Sequence, residues 1–175
     1  MSFVWMLSQV LTVLAYAFLG IGLVRKSKLD IMLFNCIFQA LMGVHFLLLG
    51  GTLGLIASAV NLLRNVVFAV NERRGRANPK WLLAGFALAV LALTAFFFRV
   101  PTDLFPGIFA LIGLFIYWYP GTRVVRIGTF AISVCYIAYA VPLASWSIVA
   151  CEIFVMISTT VGYLRYERKP PVKYP

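Results

Sequence analysis

Residues 53–80 read LGLIASAVNLLRNVVFAVNERRGRANPK, an apolar run broken by a single charge at Arg64 and followed by Arg73, Arg74, Arg76 and Lys80. As a helix rising 1.5 Å per residue, the run from Leu53 to Val70 is about long enough to cross a hydrocarbon core of roughly 30 Å. The same alternation extends in both directions. Apolar stretches occur at Phe3 to Val24, Ile31 to Leu49, Leu53 to Val70, Trp81 to Phe98, Leu104 to Tyr119, Val124 to Val141 and Ala144 to Leu164. Cations collect in alternate gaps: Arg25, Lys26 and Lys28, then the 73–80 segment, then Arg123 and Arg126. A tail with Arg165, Arg168, Lys169 and Lys173 completes the set. Of 15 Lys and Arg, only Arg99 falls in the other gaps and only Arg64 lies deep within a stretch, Arg126 standing at the edge of the sixth. Cytoplasmic loops hold the excess of Lys and Arg. The reading is an all-α integral membrane protein of seven transmembrane helices, with the N-terminus outside and the C-terminus cytoplasmic.

Composition excludes a soluble domain, because 63% hydrophobic residues, 11% charged residues and a mean hydropathy of +0.98 exceed what a chain of 175 residues buries in water. A net charge of +10 would suggest nucleic acid in a soluble protein. Here the cations flank helices, where they set orientation and meet anionic headgroups, so no nucleic-acid partner is expected. The first stretch lacks a basic leader and a small-residue cleavage site, and is expected to stay as the first helix. Cys36, Cys135 and Cys151 lie inside spans without CxxC spacing or histidine partners, so neither a disulfide, a metal site nor a cofactor is expected.

An internal repeat organises the chain. Asn71-Glu72-Arg73-Arg74 follows the third helix, and Tyr166-Glu167-Arg168-Lys169 follows the seventh, 95 residues later. The flanking order repeats too: helix, basic loop, helix, cation-free turn, helix, then Glu and two cations. Residues 3–74 and 104–169 are read as two parallel three-helix bundles, residues 81–98 as a linker helix between them (3+1+3), and 170–175 as a basic cytoplasmic tail. The linker, WLLAGFALAVLALTAFFF, has Thr94 as its one polar residue and is expected to face lipid. Trp5 and Trp146 fall at outer ends, and Trp81, Tyr117, Trp118 and Tyr119 at inner ends, as interfacial anchors do. Pro120-Gly121 and Pro142 stop helices, and Pro106 suits a first helical turn.

Three ionisable residues lie within spans: His45, Arg64 and Glu152. Such groups cost about 2.5–3.5 kcal/mol on insertion scales and normally face the bundle interior or water. On the third helix, Gly51, Gly54, Ser58, Asn61 and Asn65 form one stripe with Arg64 at its edge. The second helix offers Asn35 and Gln39, the first Gln9, Thr12 and Tyr16, and the seventh Glu152, Thr159 and Tyr163. By depth, Gln9, His45 and Glu152 form an outer layer, Gln39 and Asn61 a middle one, and Asn35, Arg64 and Asn65 an inner one. Together they describe a polar path between helices 1, 2, 3 and 7. The opposing reading is that the amides only bond between helices, that Arg64 snorkels to headgroups, and that His45 is a neutral packing residue on a backbone carbonyl. Glu152 has too short a stem to snorkel.

The run Gly43-Val44-His45-Phe46-Leu47-Leu48-Leu49-Gly50, followed by Ala57-Ser58-Ala59-Val60-Asn61-Leu62-Leu63-Arg64-Asn65, resembles the YgjV family of bacterial inner-membrane proteins. Glu152 with Arg165 resembles that family's last helix. The resemblance implies a multi-pass protein of the bacterial inner (plasma) membrane, and carries His45, Asn61, Arg64 and Glu152 over as site residues. More distantly the 3+1+3 plan is similar to SWEET and PQ-loop transporters. This chain lacks their central prolines in helices 1 and 5, and has no Pro-Gln pair.

The expected function is a small-solute transporter or facilitator that binds a small polar solute near the midplane between the bundles. Its substrate- or ion-binding residues are His45, Asn61, Arg64, Glu152, Gln39, Asn65 and Thr159. The alternative is a non-transporting receptor, assembly or scaffold protein whose polar stripe is structural. An enzyme is not expected: one His and five carboxylates form no HExxH, GxSxG or phosphate loop. The lipid bilayer is the expected partner, with a homo-oligomer open.

Overall fold

A computed structural model describes residues 3–98, 104–141 and 146–167. Among them the chain forms seven helices and no strand: α1 (Phe3–Leu23), α2 (Lys28–Leu48), α3 (Thr52–Arg73), α4 (Lys80–Phe97), α5 (Leu104–Trp118), α6 (Thr122–Ala140) and α7 (Trp146–Tyr166). The Arg99 to Asp103 gap, the turn containing Pro142, and the tail from Arg168 lie outside the described residues. Five helices, α1, α2, α3, α4 and α7, are long and apolar enough to cross a membrane. The other two differ from the expectation that each stretch is about long enough to span. Helix α5 has 15 residues, about 22 Å of rise, and α6 begins with Arg123 and Arg126 inside the helix.

Two turns follow a glycine stop. Gly50 (φ 70°) ends α2 and Gly75 (φ 64°) follows α3, a conformation that costs glycine nothing. At the first, Gly51 N–H reaches Phe46 O and Gly50 N–H reaches Leu47 O. At the second, Arg76 N–H reaches Asn71 O and Gly75 N–H reaches Glu72 O, so each turn satisfies the last carbonyls of its helix.

Helix α2 packs against α1 and α3, and α6 packs against α5 and α7. Helix α7 returns to α1 and α3 reaches α5, which closes six helices into a ring. Helix α4 sits outside on α5 and α3, with Val90 its one buried residue and Trp81 and Phe96 exposed. Its sequence, almost without polar groups, therefore meets lipid.

The stripe of small residues on α3 packs onto α2. A Cβ at Gly54 would lie 2.4 Å from the Phe46 ring, and one at Gly43 3.8 Å from Ser58 Cβ, so the two helices approach at the distance small residues permit. A core of Leu19, Leu23, Ile31, Met32, Phe68, Leu114, Tyr117, Val125 and Val155 joins both sides of the ring. The outer surface is rich in exposed Leu, Ile, Val and Phe, the composition that contacts a bilayer.

Candidate functional site

The polar residues separate into three groups and do not form one continuous path. Towards the start of α1, His45 of α2 places Nδ1 2.9 Å from Ser8 O and 2.9 Å from Thr12 Oγ1. The Ser8 carbonyl also accepts from the Thr12 hydroxyl. With Nδ1 donating to the Ser8 carbonyl, His45 ties α2 to α1 and stands edge-on to Phe46.

The second group crosses from α3 to α6. Arg64 is 4% exposed, so its guanidinium stays within the ring and does not reach headgroups. Its Nε and Nη2 donate to Asn65 Oδ1, at 3.2 and 3.0 Å. Asn65 Nδ2 donates to Asn35 Oδ1 at 2.6 Å, and Asn35 Nδ2 to the Tyr117 hydroxyl at 2.6 Å. Tyr117 hydrogen-bonds in turn with Thr129 of α6. The three links from Arg64 to the Tyr117 hydroxyl run the same way, away from the cation, and such chains polarise each other. The Arg64 Cζ also lies 5.4 Å from the centre of the Tyr117 ring.

The third group joins α7 to α1 and α6. Glu152 is 6% exposed and accepts from the Tyr16 hydroxyl at 3.2 Å and from Ser133. Tyr16 meets Phe38 edge-on at 5.4 Å. Thr159, two turns along α7, is buried with its hydroxyl unpartnered. It stands 95 residues after Arg64.

Arg64 therefore lies at the seam where α3 meets α5, and Glu152 at the seam where α7 meets α1. Each charged side chain faces a tyrosine thirteen residues into the opposing helix, Tyr117 in α5 and Tyr16 in α1. Gln39 and Asn61 are half-buried and, among the described residues, make no side-chain hydrogen bond. The structure thus brings Asn65 to Arg64, sets His45 and Glu152 each with other partners, and leaves Gln39 and Asn61 outside all three groups.

Tyr117 corrects the sequence expectation: at 4% exposure it is a core residue carrying the Asn35 bond, and not an interfacial anchor. Its place one residue before the end of α5 gave no sign of this. Trp118 bonds Asn78 O in the α3–α4 loop, and Tyr119 is exposed. Two loop cations also prove to be buried in helices. Lys28 pairs with Glu72, and Arg126, with no exposure, pairs with Glu167 and donates to the Leu23 and Arg25 carbonyls at the end of α1. The doubled Glu that marked the repeat was the signal for both pairs.

Among the described residues no group of three or more His, Cys, Asp or Glu stands ready to hold a metal. A shallow apolar groove on the outer face of α6 and α7 is lined by Phe130, Ile153, Met156, Ile157, Thr160 and Val161. It lies on the exposed side of α7, opposite Glu152 and Thr159.

The Imp-YgjV family model, described as bacterial inner membrane protein, matches residues 6–170. No curated protein and no solved structure matches the chain.

Proposed function

The chain belongs to the Imp-YgjV family of bacterial inner membrane proteins, and within that family we propose that it is a small-solute carrier working between two three-helix bundles, α1–α3 and α5–α7. The observation that carries this reading is the placement of Arg64 and Glu152. Each is buried, neither is paired with an opposite charge among the described residues, and they occupy the two opposite seams of the ring. A buried charge without a partner is strongly unfavourable, and within a membrane such residues mark solute or ion routes.

The matching order of packing on the two sides of the ring supports two parallel bundles with α4 as linker. The cation-rich gaps support an N-terminus outside and a C-terminus in the cytoplasm. In this arrangement Arg64 attracts an anionic or hydroxyl-rich group, and Glu152 binds a cation or carries a coupled proton.

A structural role draws support from a different observation. His45 and the Asn65–Asn35–Tyr117 chain are closed on protein partners, as bonds that only hold helices together would be. Uptake into proteoliposomes separates the two. Saturable flux abolished by Glu152→Gln and by Arg64→Ala supports the carrier. Flux that survives both removes these residues from the route, and absence of flux with every solute class favours the structural role.

A further inference from the structure

Arg64 holds a positive charge that nothing in the described chain balances. Among the described residues no carboxylate oxygen comes within 4.0 Å of it. Glu72 and Glu167 are committed to Lys28 and Arg126, Glu152 bonds Tyr16 and Ser133, and Asp30 lies in the first turn of α2.

The guanidinium has five N–H groups. Nε–H and one Nη2–H converge on Asn65 Oδ1, which occupies the side-on edge. The end-on edge, formed by Nη1 and the second Nη2–H, has no acceptor among the described residues. That edge is directed at α5, where position 113 is a glycine. A Cβ there would make ordinary contact with Nη1 at 3.7 Å, so with glycine at 113 no side chain from this position covers the edge. The aromatic face of Tyr117 forms an apolar wall beside it.

Two parallel N–H groups on a planar fork match the two oxygens of a carboxylate. A single unbalanced charge, buried among neutral amides, calls for one negative charge. We infer that Arg64 anchors the carboxylate of a small organic monoanion, taken end-on at the α3–α5 seam. This names the substrate class of the proposed carrier and rests on that reading only for its transport step.

The test heats purified full-length protein in uncharged detergent with acetate, butyrate or benzoate, and in parallel with acetamide, butyramide or benzamide at the same ionic strength. At least one carboxylate raises the wild-type midpoint by more than about 2 °C while its amide does not. Arg64→Gln abolishes the rise, and Arg64→Lys, which keeps the charge without the fork, reduces it. An equal rise with the amide or with chloride, an undiminished rise in Arg64→Gln, or no rise with any carboxylate overturns the inference. If Arg64→Gln does not melt cooperatively, Arg64→Lys decides in its place: an undiminished rise overturns the carboxylate fork. Proteoliposome uptake keeps the two claims apart. Carboxylate binding without flux leaves the anion site and ends the carrier; saturable flux of neutral solutes with no carboxylate effect does the reverse.

Discussion

Glu72 and Glu167 each take a cation from the start of the helix preceding their own. Lys28 Nζ donates to Glu72 Oε2 at 3.1 Å, and Arg126 Nη1 to Glu167 Oε1 at 2.5 Å. The two glutamates stand 95 residues apart and their cations 98. The two pairs differ in reach. Lys28 ties α2 to α3 alone, whereas Arg126 also takes the last carbonyls of α1 and receives the Thr122 hydroxyl's partner, Glu167, as a shared acceptor.

That difference predicts unequal effects on stability. Glu167→Gln leaves the fully buried Arg126 without its counter-charge and costs about 3 kcal/mol. Glu72 is 36% exposed, so Glu72→Gln costs under about 1 kcal/mol. Denaturant unfolding of the two variants in one detergent checks the order, and a larger loss in Glu72→Gln would contradict it.

Asn65 is the one side chain that both receives Arg64 and donates to Asn35. Asn65→Leu leaves a buried cation and a buried amide oxygen unmet at once, at about 1–3 kcal/mol each. Asn61→Leu, one turn away and half-buried, changes stability by less than about 1 kcal/mol. The measurement is the unfolding midpoint of each variant against wild type.

Glu152→Gln keeps the side-chain shape and a carbonyl oxygen for the Tyr16 bond. Its unfolding free energy stays within about 1 kcal/mol of wild type, while under the carrier reading uptake falls by at least about tenfold, the loss expected of a group that carries charge in the working cycle. Equal loss of folding and of flux would mark Glu152 as a packing residue.

Gly162 is where α7 crosses the end of α1. A Cβ there would lie 2.2 Å from Leu23 O and 2.9 Å from Arg126 Nε, and backbone cannot yield as a flexible side chain does. Gly162→Ala costs about 1–3 kcal/mol. Gly85 on α4 has nothing within 4 Å, and Gly85→Ala is neutral or stabilising by up to about 1 kcal/mol. Paired melts of the two variants check the contrast.

The sequence by itself determined the helices, the membrane and the family. Span length, apolar content and the stop at Pro120-Gly121 act within a few residues and can be read along one dimension. The resemblance carried by residues 43–65 agrees with the family match over residues 6–170. Burial of Arg64 and Glu152 was also legible, because a charge inside an apolar helix has few places to go. Only the tertiary structure decided their partners. Asn35 meets Tyr117 across 82 residues, Tyr16 meets Glu152 across 136, and Arg126 meets Leu23 across 103. Periodicity gives the face on which a side chain lies, but which helix covers that face depends on packing between distant segments. Depth placed His45 beside Glu152 in one layer; the rotation of α1 gave His45 to Ser8 and Thr12, and Glu152 to Tyr16.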